Sequence, residues 1–206
     1  MRKKRDGEET KMRVLQAAEE AFAEKGYAGT SLKAVSDRSG ISVGLILHHF
    51  STKEALYHEV LKGLSAGYFR VLTEAGQGMA GHSFQETAAE VLRRTFEFWR
   101  NDTTHHRISL WSYLENRSTQ TDAETQLTTG LAEIITKMQA AGSIDPSVSP
   151  FVFLSMIIGP IQFWMRYRQQ FMEQLNLKET SEELDAIFLD QFLRVTEKIM
   201  KSEELR

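Results

Sequence analysis

The 206-residue chain has no cysteine, which excludes disulfides, thiol nucleophiles and zinc sites built on cysteine ligands. A reducing compartment fits that composition, and the cytoplasm is the expected location. Proline is scarce, with three residues in all, and β-branched residues are scattered rather than clustered, so helices are favoured over a sheet. Long apolar runs are missing as well. The longest, Phe151 to Met165, is interrupted by Ser155, Gly159, Pro160 and Gln162 and falls short of the roughly 20 residues a membrane span needs. It reads as a buried helix, and no membrane partner is expected. The start of the chain, MRKKR, is basic, but no apolar stretch follows, so the pattern of a secretory signal is incomplete.

What remains is the composition of an ordinary globular chain, 41% hydrophobic and 26% charged. Its charge is uneven. Residues 1–62 hold 11 Lys and Arg against 9 Asp and Glu, a net +2, while residues 63–206 hold 14 against 19, a net −5. A basic head on an acidic body suits a polyanion-binding module joined to a regulatory one. The expected fold is all-α, with a three-helix N-terminal domain (1–62) and a larger helical domain (63–206).

Helix starts are marked by Ser or Thr followed three residues later by Glu, a pairing in which side chain and backbone cap each other. The pairs are Ser51/Glu54, Ser83/Glu86, Thr121/Glu124 and Thr180/Glu183. Apolar residues at helical spacing follow the last three, as in Leu184, Phe188, Phe192, Val195 and Ile199. Asp145-Pro146 reads as a turn into a helix from about Ser147 to Gln174, kinked at Gly159-Pro160.

The first 60 residues form shorter elements. A helix from about Glu8 to Lys25 carries Leu15, Ala18 and Phe22 on one face and stops at Gly26. Thr30 suits an N-cap for a short helix that ends at Gly40. After Gly40-Ile41-Ser42, a second short helix runs to about His49, giving a helix-turn-helix. Phe22, Val35, Ile41, Ile46, Phe50 and Leu56 have the spacing of a small core.

The stretch from Phe22 to Leu56 resembles the DNA-binding region of the tetracycline-repressor (TetR) family. The likeness rests on Phe22, Gly26-Tyr27, Thr30-Ser31, Gly40-Ile41-Ser42, Gly44, His49-Phe50, Lys53-Glu54 and Leu56. It implies a dimeric, ligand-responsive regulator, by default a repressor that binds a roughly palindromic double-stranded operator and is released by a small molecule. The resemblance assigns Thr30, His49 and Lys53 to phosphate contacts, in keeping with the anion preference of helix N-termini at two of them. Gly44 falls on the same reading helix. The chain departs from the family at Leu45 and Leu47, and Val43 and Leu47 share a helical face, so the reader is unusually apolar. Contact with thymine methyls is expected there, with Lys33, Ser42 and His48 supplying polar contact. Alternatively, Leu47 tucks against the first helix and reads nothing. The adjacent histidines lack a third ligand, so no metal or cofactor is expected.

The family's C-terminal helices imply a ligand pocket and a dimer interface. Phe96, Trp99, Trp111, Tyr113, Met138, Met156, Trp164 and Met165 are the candidates for an apolar or aromatic ligand, because aromatics with flexible thioethers suit an adaptable cavity. Core packing is the competing role for each. Phe171, Phe188, Phe192 and Val195 are candidates for the homodimer interface. His105, His106 and Arg107 suit either an anionic group or a solvated helix start. Gly76-Gln77-Gly78-Met79-Ala80-Gly81 spells a dinucleotide fingerprint, but a helix rather than a strand precedes it, so no enzyme is expected. The remaining alternative is a helical protein-interaction module whose helix-turn-helix no longer binds DNA.

Overall fold

The structure is a computed structural model that describes residues 2–78, 81–117 and 122–200. Nine helices and no strand occur among the described residues: α1 (Arg2–Gly29), α2 (Leu32–Ser39), α3 (Val43–Phe50), α4 (Lys53–Gly78), α5 (Phe84–Asn101), α6 (Thr103–Leu114), α7 (Asp122–Ala140), α8 (Pro150–Gln174) and α9 (Ser181–Met200). The all-α expectation holds.

The caps explain most boundaries. In α1 the helix breaks at Gly26, whose φ of 70° and ψ of −179° lie in a region open essentially to glycine alone, and one further turn continues to Gly29. Ser31, not Thr30, caps α2 by accepting from the Ala34 N–H at 3.1 Å. Gly40 ends it in the left-handed conformation and Ser42 caps α3. The Ser51/Glu54 pairing does not form. Ser51 instead ends α3 at a φ of 61°, and Thr52 takes the cap of α4 by accepting from the Ala55 N–H at 3.0 Å.

The reciprocal pairs Ser83/Glu86 and Thr180/Glu183 both form, and their backbone N–H bonds hold both carboxyls below the usual range. Thr121 lies outside the described residues. Helix α8 begins three residues later than expected, with Pro150 in its first turn, where its missing N–H has no helical partner to lose. It carries Pro160 inside one continuous helix.

The backbone divides into two compact units, and not by a single cut near residue 62. The first unit takes residues up to Gly67 together with Asp102–Thr125; the second takes Tyr68–Asn101 and Gln126 onward. Helix α6 therefore belongs with the N-terminal helices, against α1.

In the first unit, Val14, Ala18 and Phe22 sit one turn apart along α1 and are buried with Val35, Ile46, Phe50, Leu56, Tyr57 and, from α6, Ile108. Ile41 and Leu15 are partly buried against them. Each large side chain sealed this way stabilises the unit by about 1.5–3 kcal/mol.

The second unit centres on buried Phe96, Trp99 and Ile161 from α5 and α8. Around them an aromatic stack runs Phe96–Phe188–Phe192, with Trp164 parallel to Phe188 at 4.7 Å. Buried Asp185 joins α9 to α8 by accepting from Trp164 Nε1 at 2.7 Å and pairing with Arg168.

Candidate DNA-binding site

The α2–α3 pair is held from inside. With 100° between successive residues, Ile46 and Phe50 point into the core, Val43 and His49 flank them half-buried, and Gly44, Leu45, Leu47 and His48 fall outside. Leu45 is 40% exposed and Leu47 38%, large fractions for leucines on an eight-residue helix. Leu47 is therefore not sealed against α1. A Cβ built on Gly44 meets nothing within 4 Å, so the fold itself makes no demand for glycine there. Ser42 is exposed, and its hydroxyl is engaged in the α3 cap.

Polar anchors fix α2 against α1. Arg13 donates to the Ser39 carbonyl at 2.7 Å. Arg38 reaches Glu24 at 2.7 Å and Glu20 at 3.7 Å, and holds the Glu24 carboxyl below its usual range. Lys33 is exposed and paired with Asp37 one turn on.

Thr30 is a correction. It is only 3% exposed, and its hydroxyl lies 2.7 Å from the Gly26 carbonyl and 3.0 Å from that of Ala21, where its single proton is used inside the protein. It braces the turn after α1, and the exposed cap hydroxyl belongs to Ser31.

Lys53, two residues beyond Ser51 and so close behind α3, lies with its ammonium 4.1 Å from the centre of the Tyr27 ring. The Arg117 guanidinium lies 3.6 Å from the same ring centre. Burial lowers the Lys53 pKa first, Arg117 adds to the effect by like charge, and Glu115 opposes it. Tyr27 in turn packs edge-on against Tyr57 at 5.1 Å and stacks on Phe22.

The residues just before Arg117 clamp the end of α1. Glu115 accepts from the Tyr27 and Ala28 N–H groups at 3.0 and 2.9 Å, Arg107 Nε donates to the Ala23 carbonyl at 2.8 Å, and Trp111 Nε1 reaches the same carbonyl at 3.3 Å. Sequence reasoning missed this cluster, because more than eighty residues separate the partners. The sequence signal was Gly26-Tyr27 itself, a glycine at a forced break followed by an aromatic.

The expected ligand residues separate. Phe96, Trp99, Trp164 and Met165 come together, but as packed core. Met138 is half-buried on α7 and Met156 exposed on α8. Trp111 and Tyr113 belong to the first unit, where Trp111 lies on Gly26 and Tyr113 is 80% exposed. Two clefts of the second unit have other linings: one of about 260 Å³ beside Val71, Glu74, Glu90 and Arg94, the other of about 300 Å³ beside Leu92, Arg93, Asp190 and Arg194.

Of the expected interface residues, Phe188 and Phe192 are used within the chain, stacked on Phe96 and Trp164. Phe171 packs on Phe163 and Tyr167 of its own helix. Val195 is exposed, as are Val152, Met156, Phe163 and Ile187. No helix among the described residues is long and apolar enough to cross a membrane.

Two family descriptions match the chain: bacterial regulatory proteins of the tetR family over residues 14–60, and the tetracyclin repressor-like C-terminal domain over 89–190. The HTH-type transcriptional repressor Rv3405c of Mycobacterium tuberculosis is 36% identical over 90 residues, 44% of this chain and 42% of that protein. The match thus spans less than half the length of that relative. The HTH-type transcriptional regulator TtgR of Pseudomonas putida is 23% identical over 80% of this chain and 84% of its own. Among solved structures, the putative transcriptional regulator SCO4942 of Streptomyces coelicolor superposes with a TM-score of 0.71 at 21% identity, covering 90% of this chain and 97% of the other. The ketosteroid transcriptional regulator KstR2 of Mycobacterium tuberculosis does so at 0.63 and 18%, covering 90% and 93%. At such identities these superpositions speak for the fold.

Proposed function

Because the chain belongs to the tetR family of bacterial regulatory proteins, we propose that it is a homodimeric, ligand-responsive transcriptional repressor that works in the cytoplasm on a roughly palindromic DNA operator. The observation that carries this reading is the pose of α3, anchored by Ile46 and Phe50 while Gly44, Leu45, Leu47 and His48 face outward. A helix presented in this way enters a major groove, and two copies related by a twofold axis read half-sites about one DNA turn apart.

The outward leucines lack hydrogen-bonding groups, so their readout rests on the C5 methyl of thymine. Ser31, Ser42, His48, His49 and Lys53 supply polar and phosphate contact, with Lys33 at the rim. The exposed apolar side chains of α8 and α9, led by Phe163 and Val195, are the face that a second copy covers. A small apolar or aromatic molecule acts through the second unit, by opening the packing around Phe96, Trp99, Trp164 and Met165.

Selection of duplexes from a random pool, repeated with cell metabolites present, tests the reading. A bipartite, thymine-containing motif whose capture a metabolite abolishes is the expected result. Salt-insensitive or undetectable capture overturns it in favour of a protein-interaction module, and half-sites rich in G·C with no thymine preference overturn the methyl readout alone.

A further inference from the structure

We propose that Arg117, in the segment that follows α6, is a second phosphate-gripping side chain of the DNA-binding unit, sharing one DNA phosphate with Lys53 across the ring of Tyr27. The inference rests on the DNA-binding reading above and adds a contact from outside the helix-turn-helix. Both cations sit over one ring, Lys53 at 4.1 Å and Arg117 at 3.6 Å from its centre, so they are no further apart than the sum of those distances. That is within the span of one phosphate holding a donor on each of two oxygens, with charge-assisted bonds of about 2.8 Å.

Neither nearby carboxylate closes off the two cations. Glu115 spends its two oxygens on the Tyr27 and Ala28 N–H groups. The remaining acid, Glu54, stands 3.9 Å from Arg117 with 62% of its side chain exposed, an ion pair of little strength. Two like charges thus lie against one aromatic ring, and burial first, then Arg117, lowers the Lys53 pKa. A bridging anion removes that repulsion.

The residue types suit the task. A guanidinium lying on an aromatic face keeps its in-plane N–H groups for a phosphate, whereas lysine supplies a point charge. Position suits it too, since Lys53 follows the end of α3 by three residues and Tyr27 is fixed by Phe22 and Tyr57. Arg117 belongs to the same compact unit as the helix-turn-helix.

The test measures binding of the full-length protein to a fixed mixed-sequence DNA duplex at several salt concentrations. The variants are Arg117→Gln, Arg117→Lys and Lys53→Ala. Arg117→Gln is expected to weaken binding roughly tenfold at low salt and to flatten the log–log salt slope by up to about one per protomer, and Lys53→Ala should do the same, the two losses not adding because one phosphate is shared. Arg117→Lys should keep the slope, because the charge remains; a purely structural role for Arg117 moves thermal stability and leaves the slope alone.

In the unmutated protein, a dicarbonyl reagent followed by mass spectrometry reads Arg117 directly, and DNA should protect it. A wild-type slope in Arg117→Gln beside a flattened one in Lys53→Ala, or unprotected Arg117, overturns the proposal while leaving DNA binding intact. Absence of salt-dependent binding by the wild type overturns both.

Discussion

In the first unit the side chains of α1, α3, α4 and α6 close around Phe22, Ile46 and Tyr57, and the large apolar side chains left exposed are Met12 on α1, Leu45 and Leu47 on α3, and Tyr113 and Leu114 at the end of α6. In the second, Phe96, Trp99 and Ile161 are sealed, but α8 and α9 still present Phe151, Met156, Phe163 and Val195 to solvent. The two units therefore solve the burial problem differently. One closes a large core from four helices, is stiffened by polar clamps, and leaves its exposed apolar side chains on α3 and at the rim. The other has more apolar surface than its own helices can cover, and the proposed second copy supplies the missing layer.

The contrast breaks most sharply at Gly26. A Cβ there meets Glu115 Oε1 at 2.6 Å and Trp111 at 2.9 Å, on a backbone with positive φ. Gly26→Ala is expected to destabilise the first unit by about 3 kcal/mol or more, read as a shift in denaturant midpoint that does not depend on protein concentration.

Acid should act on the same unit. Burial is the main cause that pushes His105 down from 6.5 to about 4, with Asp102 opposing and His106 adding. The fold accepts the neutral ring, so this stabilisation is complete above pH 6.5 and is lost as pH falls through about 4. The loss is on the order of 3 kcal/mol, and thermal melts of His105→Gln should show a flatter acid limb.

For the second unit, Phe163→Glu places a charge on the open face. Sedimentation should show the proposed dimer weakened about 100-fold, or roughly 2.7 kcal/mol, with a melting temperature that no longer rises with concentration. An unchanged dimer would relocate the interface.

The smallest effect is expected at Glu19. Its carboxyl is held above the usual range by half-burial, then by Asp102 and Glu20. Its contribution to stability is therefore present below the ordinary glutamate pKa and is lost as pH rises through the raised value. Glu19→Gln should raise the melting temperature slightly at neutral pH and leave it unchanged in acid.

How much of this was legible in the sequence depended on distance along the chain. The α1–α3 core was legible because Phe22, Val35, Ile46 and Phe50 recur at helical spacing between strong stop signals, and Ser83/Glu86 and Thr180/Glu183 declared their caps locally. Thr30 and Ser31 exchanged roles because two adjacent hydroxyls both suit a cap, and only the tertiary fold decides which one is buried. Thr52 displaced Ser51 for a similar reason.

Periodicity marked Phe188 and Phe192 as apolar but did not say which neighbour would cover them, and the neighbour proved to be Trp164 and Phe96 of the same chain. Arg107, Trp111, Glu115 and Arg117 were unreadable as a site, because their partners lie 84 to 88 residues away for the hydrogen bonds and no repeat or spacing links them. In the reading helix, the apolar character of Leu45 and Leu47 was legible, and their exposure needed the structure.

The chain order of the first unit constrains any exchange of parts. A chimera joined at residue 62 would transplant α1 to α3 but leave α6 behind, and with it the acceptor for the Tyr27 and Ala28 N–H groups and the indole that fits only against Gly26. A graft that preserves these contacts needs two segments, one up to Gly67 and a second spanning Asp102–Thr125. The portable cassette is therefore discontinuous in the gene although it is one body in space.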